Sequence, residues 1–314
     1  MKSLTVLTTD RRDNQMKVSY IDGASASDHD ILRVGICQIY TEQWQIEQNF
    51  KRTVEALEEA ADRGALLAIT PECVFHGYGF SDDKELLRAR MLEVAEKLSG
   101  EKVSKVKALA KKLSLNIVLG IAERGAGNQV HNSALFINQQ GEIAEVYRKV
   151  HCRRFESVEG AGAFTPGERF AVAEVSLEQR SYPIGLMICF DREIPESTRC
   201  LRAMGAQFVA CPLATNTSDM SQKIEEAENE MITRCRAAEN EMFIAVVNHS
   251  ERFNGGSFIV GPKGELLIQL GKDPAVEVID VPIGIIEDKF HSNPLGWMGW
   301  GYRRQEVYDR HFRE

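Results

Sequence analysis

Three apolar runs, residues 66–70, 143–147 and 184–188, each break off into a chemically loaded residue, and this constrains the fold more than any other feature of the chain. The first run leads into Pro71-Glu72, the second into Tyr147-Arg148-Lys149, and the third into Ile188-Cys189-Phe190-Asp191. Short apolar runs between turn signals read as buried strands. In α/β sheets, reacting groups gather at the carboxyl ends of such strands. The pattern therefore predicts a sheet architecture that brings Glu72, Lys149 and Cys189 together as a candidate catalytic set. A thiol attacks as its thiolate, so it needs a base or a cation beside it, and a glutamate and a lysine supply both.

The intervening sequence reads as helices. Ile46, Phe50, Val54, Leu57 and Ala61 recur at helical spacing, with Gly64 placed to stop the helix. Residues 85–98 and 103–113 read as further helices and 116–121 as a strand. Residues 131–138 and 143–147 read as a hairpin around Gln140-Gly141-Glu142, with a related turn at Pro262-Lys263-Gly264-Glu265. In the second half, 196–204 is a predicted helix and 207–212 a strand. Ile224, Ala227, Met231, Cys235 and Ala238 mark one face of a long helix that precedes a strand at 243–247. This alternation predicts a mixed sheet layered by helices. No proline- or glycine-rich linker divides residues 32–314, which read as one domain. Residues 1–31 are polar and irregular, and read as an extension that is either flexible or an arm for a partner subunit.

Composition excludes several functions. A net charge of −8 without a basic cluster argues against nucleic acid as a partner. No apolar stretch approaches the roughly 20 residues that span a bilayer, so a soluble protein without a membrane partner is expected. Seven cysteines at irregular spacings, with no secretory signal before them, suit free thiols in a reducing cytoplasm. Cys73 with His76, and His151 with Cys152, lack a matching second pair at zinc-site spacing, so neither a metal nor another cofactor is expected.

The residues around the three strand ends resemble the nitrilase, or carbon-nitrogen hydrolase, superfamily. The resemblance lies in Pro71-Glu72 followed by Gly77-Tyr78, in Tyr147-Arg148-Lys149-Val150-His151, and in Cys189-Phe190-Asp191-Arg192-Glu193-Ile194-Pro195-Glu196. It continues through Arg234-Cys235-Arg236-Ala237-Ala238-Glu239-Asn240, Gly256-Ser257-Phe258-Ile259-Val260-Gly261-Pro262 and Gly301-Tyr302-Arg303-Arg304. It implies a four-layer α-β-β-α sandwich with two mixed sheets packed face to face, and assembly into a homodimer or higher homo-oligomer. It also implies a thiol amidohydrolase that cleaves a small linear amide or carbamoyl compound through an acyl-thioester. Carried over residue by residue, Cys189 is the nucleophile, Glu72 the general base and acid, and Lys149 the stabiliser of the oxyanion together with the backbone N–H of Phe190. A second glutamate between the lysine and the cysteine is expected to help position substrate. Measured back from Phe164-Thr165-Pro166-Gly167, Glu159 is favoured over Glu156.

Other readings stay open from the residues alone. A nitrile hydrolase would use the same thiolate, and a non-catalytic scaffold of the same fold would keep the residues without the chemistry. His151 is expected to be a structural hydrogen-bonding residue rather than half of a Cys/His dyad. Trp297, Trp300 and Tyr302 are expected to close a subunit or core contact rather than line a pocket. Phe190, Arg192 and Glu193 are candidate substrate contacts. The carboxylate of Glu193 would disfavour anionic amides unless a basic neighbour neutralises it.

Overall fold

The computed structural model describes residues 30–177, 180–215, 222–286, 300 and 302–311, with residues 222–228 described in backbone only. The chain runs β1 (Leu32–Gln38), α1 (Ile46–Asp62), β2 (Leu67–Ile69), α2 (Lys84–Val94), α3 (Glu101–Leu113), β3 (Asn116–Arg124), β4 (Val130–Ile137) and β5 (Ile143–Arg148). It continues through β6 (Ala171–Leu177), β7 (Arg180–Leu186), α4 (Pro195–Ala203), β8 (Phe208–Pro212), α5 (Gln222–Asn240) and β9 (Phe243–Val247). The last elements are β10 (Phe258–Val260), β11 (Leu266–Gln269), β12 (Ala275–Val281) and α6 (Gln305–Tyr308).

The strands form two six-stranded mixed sheets, ordered β12-β1-β2-β3-β4-β5 and β6-β7-β8-β9-β10-β11. Read in those orders, both show the same succession: one antiparallel pair, two parallel pairs, then two antiparallel pairs. The sandwich is thus two copies of one topology, although no sequence repeat betrays it.

Strand alternation builds the layers. Along β2, Leu67 and Ile69 face the gap between the sheets, while Ala68 faces the outer helices. On β3, Val118 points inward, and Ile117, Leu119 and Ile121 point outward. On β4, Ala134 and Phe136 point inward, and Leu135 and Ile137 outward. The outward set packs on Leu57 and Ala60 of α1 and Val103 and Val106 of α3. On the other flank, Leu201 of α4 and Ala237 of α5 cover the second sheet, completing the α-β-β-α order. The central strands of both sheets, β2, β3, β4, β8 and β9, are buried on both faces, which is why they read as nearly continuous apolar runs.

This layering positions the site. Because β4 and β5 each reverse direction, β5 runs the same way as β2 and its carboxyl end reaches the same edge as Pro71-Glu72. Asn132 shares the inward parity of Ala134 and Phe136, and lies near the start of β4 at that edge. Lys149 follows Tyr147, the inward residue of β5. The parallel strands β7, β8 and β9 of the second sheet end over it from the other side.

Several boundaries differ from the expectations. The strand before Cys189 ends at Leu186 rather than residue 188, and begins earlier, at Arg180. It pairs along its length with β6, a strand whose inward positions, Ala171 and Ala173 among them, are too small to stand out in the sequence. The helix expected over 85–98 ends at Val94. Beyond it, Glu96 adopts extended backbone and bridges to Glu123, its N–H donating to Ala122 and its carbonyl accepting from Arg124, both at 2.9 Å. Trp297 and the extension 1–29 lie outside the described residues. Trp300 lies under the guanidinium groups of Arg202 and Arg303, at 5.6 and 4.1 Å, and Tyr302 is exposed. Among the described residues, no helix is long and apolar enough to cross a membrane.

Candidate active site

Glu72, Lys149 and Cys189 meet where the apolar gap between the sheets gives way to polar groups. Glu72 and Lys149 are almost wholly inaccessible, at 0% and 1% exposure, so their charges must be met by protein groups. Lys149 Nζ lies 2.9 Å from Glu72 Oε1 and 2.6 Å from Glu156 Oε1. Asn132 Nδ2 donates to Glu72 Oε1 at 2.6 Å, and its own oxygen accepts from the Cys73 thiol at 3.4 Å, which fixes the amide's orientation. Glu156 is saturated. Its Oε1 accepts from Lys149 and the Tyr78 hydroxyl, and its Oε2 accepts from the Arg153 N–H at 2.7 Å. Glu72 Oε2 is buried without a hydrogen-bond partner. One carboxylate is thus tied down while the other keeps an open lone pair.

The electrostatics follow from that asymmetry. Burial pushes the Glu72 carboxyl above its ordinary value; Lys149 opposes the shift, and the nearby charge of Glu156 adds to it. Burial would also raise Glu156, but Lys149 and the donors Tyr78 and Arg153 hold it below its ordinary value. Lys149 stays charged despite burial, because Glu72 and Glu156 favour its ammonium, and a thiolate formed at Cys189 would favour it further. For Cys189, burial and then the charge of Glu72 push the thiol up, with Lys149 opposing. The resting thiol is therefore protonated at neutral pH, and a neighbouring base must take its proton as it reacts.

Cys189 opens a 3-10 turn, Cys189–Glu193, and has a positive φ of 47°. This is an uncommon conformation for a residue with a Cβ, and such strain persists only where the surroundings hold it. Asp191, fully buried, does the holding. Its Oδ2 accepts from the Ile188 N–H at 3.0 Å and the Tyr147 hydroxyl at 2.7 Å, and its Oδ1 accepts from the backbone and ring nitrogens of His151, both at 2.9 Å. The cysteine turn is thereby stapled to the strand that carries Lys149. His151 takes the structural part expected of it.

The backbone of Glu72 is clamped as well. Its N–H donates to Leu213 O at 3.2 Å, and its carbonyl lies 2.7 Å from His249 Nε2, whose Nδ1 lies 2.7 Å from the Thr41 hydroxyl. Burial pulls His249 down to about 3, so the ring is neutral. Nε2 then carries the proton given to Glu72, and Nδ1 accepts from Thr41. On β3, Gly120 leaves room for this segment, since a Cβ there would collide with the Pro71 carbonyl.

A cavity of about 450 Å³ opens over the thiol. Its lining includes Cys189, Glu156, Tyr78, Arg153, Glu193, Arg252 and Phe253. Residues 33–287, most of the chain, match the carbon-nitrogen hydrolase family model. The chain belongs to the carbon-nitrogen hydrolase family. It is therefore an enzyme of carbon–nitrogen bond hydrolysis, with amidases among its relatives. The deaminated glutathione amidase of Bos taurus is 28% identical over 300 residues, covering 91% of this chain and 86% of its own. A nitrilase of Pyrococcus abyssi is 28% identical over 287 residues, covering 89% and 100%. Among solved structures, an amidase from Nesterenkonia sp. AN1 superposes with a TM-score of 0.71 at 25% identity, covering 91% of this chain and 98% of that one. That structure is a glutamate-to-glutamine variant carrying the acetamide moiety of fluoroacetamide on its active-site cysteine.

Within this hydrolase, one expected site residue is misplaced. The glutamate beside Lys149 is Glu156, while Glu159 is exposed, its N–H turned to Ser157 Oγ at 3.2 Å. The segment folds back on itself: Glu156 and Ser157 both donate to Arg153 O, and Phe164 donates to Glu156 O at 2.8 Å. Distance along the chain from Phe164 therefore does not measure distance from the lysine. Of the three candidate substrate contacts, Glu193 lines the cavity, whereas Phe190 and Arg192 are not among its lining residues. Arg192, within the nucleophile turn, is buried and donates to Asn229 Oδ1. Phe190 lies under the Arg153 guanidinium at 4.7 Å, and Arg153 in turn pairs with Glu193 at 2.7 Å. Asn132, Tyr78, Asp191 and His249 carry the support, and the sequence singled out none of them for it. Gly120 left the one legible trace, a lone glycine inside an apolar strand.

Proposed function

We propose that this hydrolase is a thiol amidohydrolase working through an acyl-thioester on Cys189, with a small linear amide as substrate. The observation that carries the reading is the unpartnered Oε2 of Glu72, a buried carboxylate oxygen whose partner Oε1 is held by Lys149 and Asn132. The covalently modified cysteine of the Nesterenkonia amidase supports it. In the first half-reaction Glu72 takes the thiol proton as Sγ bonds to the carbonyl carbon. The developing oxyanion is met by Lys149 and the backbone N–H of Phe190. Glu72 then passes the proton to the departing nitrogen, the C–N bond breaks, and ammonia or an amine leaves. In the second half-reaction Glu72 takes a proton from water, hydroxide adds to the thioester carbon, the C–S bond breaks, and the proton returns to sulfur. A carboxyl raised by burial suits both directions of transfer, since its affinity for the proton lies closer to that of its partners than an exposed glutamate's.

The test is ammonia release from a panel of linear amides, carbamoyl compounds and nitriles. Turnover of amides above nitriles, abolished in Cys189→Ala, is expected. Turnover that survives Cys189→Ala, or turnover of nitriles alone, overturns the reading.

A further inference from the structure

Two arginines line the catalytic cavity in opposite electrostatic states. Arg153 is matched: its guanidinium meets Glu193 at 2.7 Å, and although burial disfavours its charge, Glu193 holds it above its ordinary value. Arg252 is not matched. Its guanidinium lies on the ring of Phe253 at 4.3 Å, and Nη2 donates to the carbonyls of Gly77 at 3.0 Å and Tyr78 at 3.3 Å. Among the described residues no carboxylate pairs with it, and its Nε is buried without a partner. Burial pulls it below its ordinary value, the reverse of Arg153. A cation partly stripped of water and answered only by neutral carbonyls and a ring face is held at a cost that an incoming anion would relieve.

We propose that Arg252 receives an anionic group at the far end of the substrate, so that the preferred substrates are short amides carrying a carboxylate remote from the scissile carbon. This rests on the amidohydrolase reading above and names its substrate class. The spacing supports it. The Tyr78 carbonyl touches Arg252, while the Tyr78 hydroxyl touches Glu156 beside Lys149. One tyrosine side chain thus spans the distance between the anion receptor and the reacting end, a reach suited to a chain of a few methylenes. Glu193 does not oppose such a substrate, because Arg153 neutralises it. The repulsion that Glu193 alone would exert is already met within the cavity wall. Phe253, packed edge-on to Tyr78 at 6.2 Å, supplies the apolar wall between the two ends.

The experiment compares glutaramic acid with its methyl ester, which differ in charge at the far end and share the scissile amide. Wild-type enzyme is expected to favour the acid in kcat/KM by roughly 10- to 100-fold, the range of a charge-assisted contact in a partly dry site. Arg252→Gln is expected to collapse that ratio towards one, chiefly through KM, and Arg252→Lys to keep part of it. Glutarate is expected to bind wild type, by calorimetry, and to lose binding in Arg252→Gln. Should Arg252→Gln fail to fold, the wild-type ratio and glutarate binding decide by themselves. An ester hydrolysed as well as the acid, with no glutarate binding, overturns the Arg252 assignment while leaving the amidohydrolase intact. Equal losses on acid and ester in a folded Arg252→Gln assign the residue to structure instead. Hydrolysis of neither compound, nor of any in the amide panel, ends the amidohydrolase reading and this one with it.

Discussion

Replacing Glu156 by glutamine separates the two candidate glutamates. Glu156 Oε1 accepts from Lys149 Nζ at 2.6 Å and from the Tyr78 hydroxyl, while Oε2 accepts from the Arg153 N–H. A glutamine keeps the shape but turns one acceptor into a donor. With its oxygen towards Lys149 and Tyr78, its NH₂ faces the Arg153 N–H. Reversed, the NH₂ faces the ammonium and the hydroxyl. The gross attraction lost between Lys149 and Glu156 is roughly 6 kcal/mol at an effective dielectric of about 20. Relief of the carboxylate's own burial offsets much of that, and Lys149 keeps Glu72. Charge-assisted hydrogen bonds are worth about 1.5–3 kcal/mol, so weakening them while leaving a donor unmet is expected to cost about 2–4 kcal/mol of stability. The loss in kcat is expected to be roughly 10² to 10³, because Lys149 is no longer held where the oxyanion forms. Urea denaturation and steady-state ammonia release read the two quantities, and Glu159→Gln is the control. Being exposed, Glu159 should change stability by no more than about 0.5 kcal/mol and leave kcat alone. A Glu156→Gln enzyme within threefold of wild-type kcat, or an equal loss in Glu159→Gln, refutes the reasoning.

Lys149→Ala is expected to lower kcat by at least the same roughly 10² to 10³ with a smaller change in KM, and Lys149→Arg to rescue poorly. A planar guanidinium cannot place one ammonium between two carboxylates; near-wild-type kcat in either variant makes the lysine structural. Acid should destabilise the fold through two buried neutral histidines. His76 and His249 are both pulled by burial from 6.5 to about 3, so below pH 6.5 the unfolded chain takes up protons the folded one refuses. Stability is therefore expected to fall as pH drops from 6.5 towards 3, by up to about 1.4 kcal/mol per pH unit per histidine. Urea titrations at pH 7, 6 and 5 should show a shallower slope in His249→Gln; an unchanged slope refutes the assignment.

The legible part of this protein was its strand-end chemistry. Glu72 and Cys189 each follow a run of residues buried on both faces, and Lys149 follows a half-buried strand that ends on the buried Tyr147, so the local pattern announced them. Strands β6 and β12 were missed because their positions alternate: Glu174 and Ser176 interrupt one, Glu277 and Asp280 the other. The supporting residues escaped for a different reason. Asn132 lies 60 residues from Glu72 in sequence and His249 lies 177 away, so their parts exist only once the two sheets have closed. Glu156 could not be told from Glu159 along the chain, because the bridge between Ser157 and Phe164 doubles the segment back.

The central claim is covalent chemistry at Cys189, and mass spectrometry of enzyme quenched during amide turnover tests it most directly. A mass increase equal to the substrate less ammonia, mapped to the peptide carrying Cys189 and absent from Cys189→Ala, is the result this account predicts. The other cysteines, Cys37, Cys73, Cys152, Cys200, Cys211 and Cys235, should stay unmodified. An adduct on any of them, or full turnover in Cys189→Ala, contradicts it.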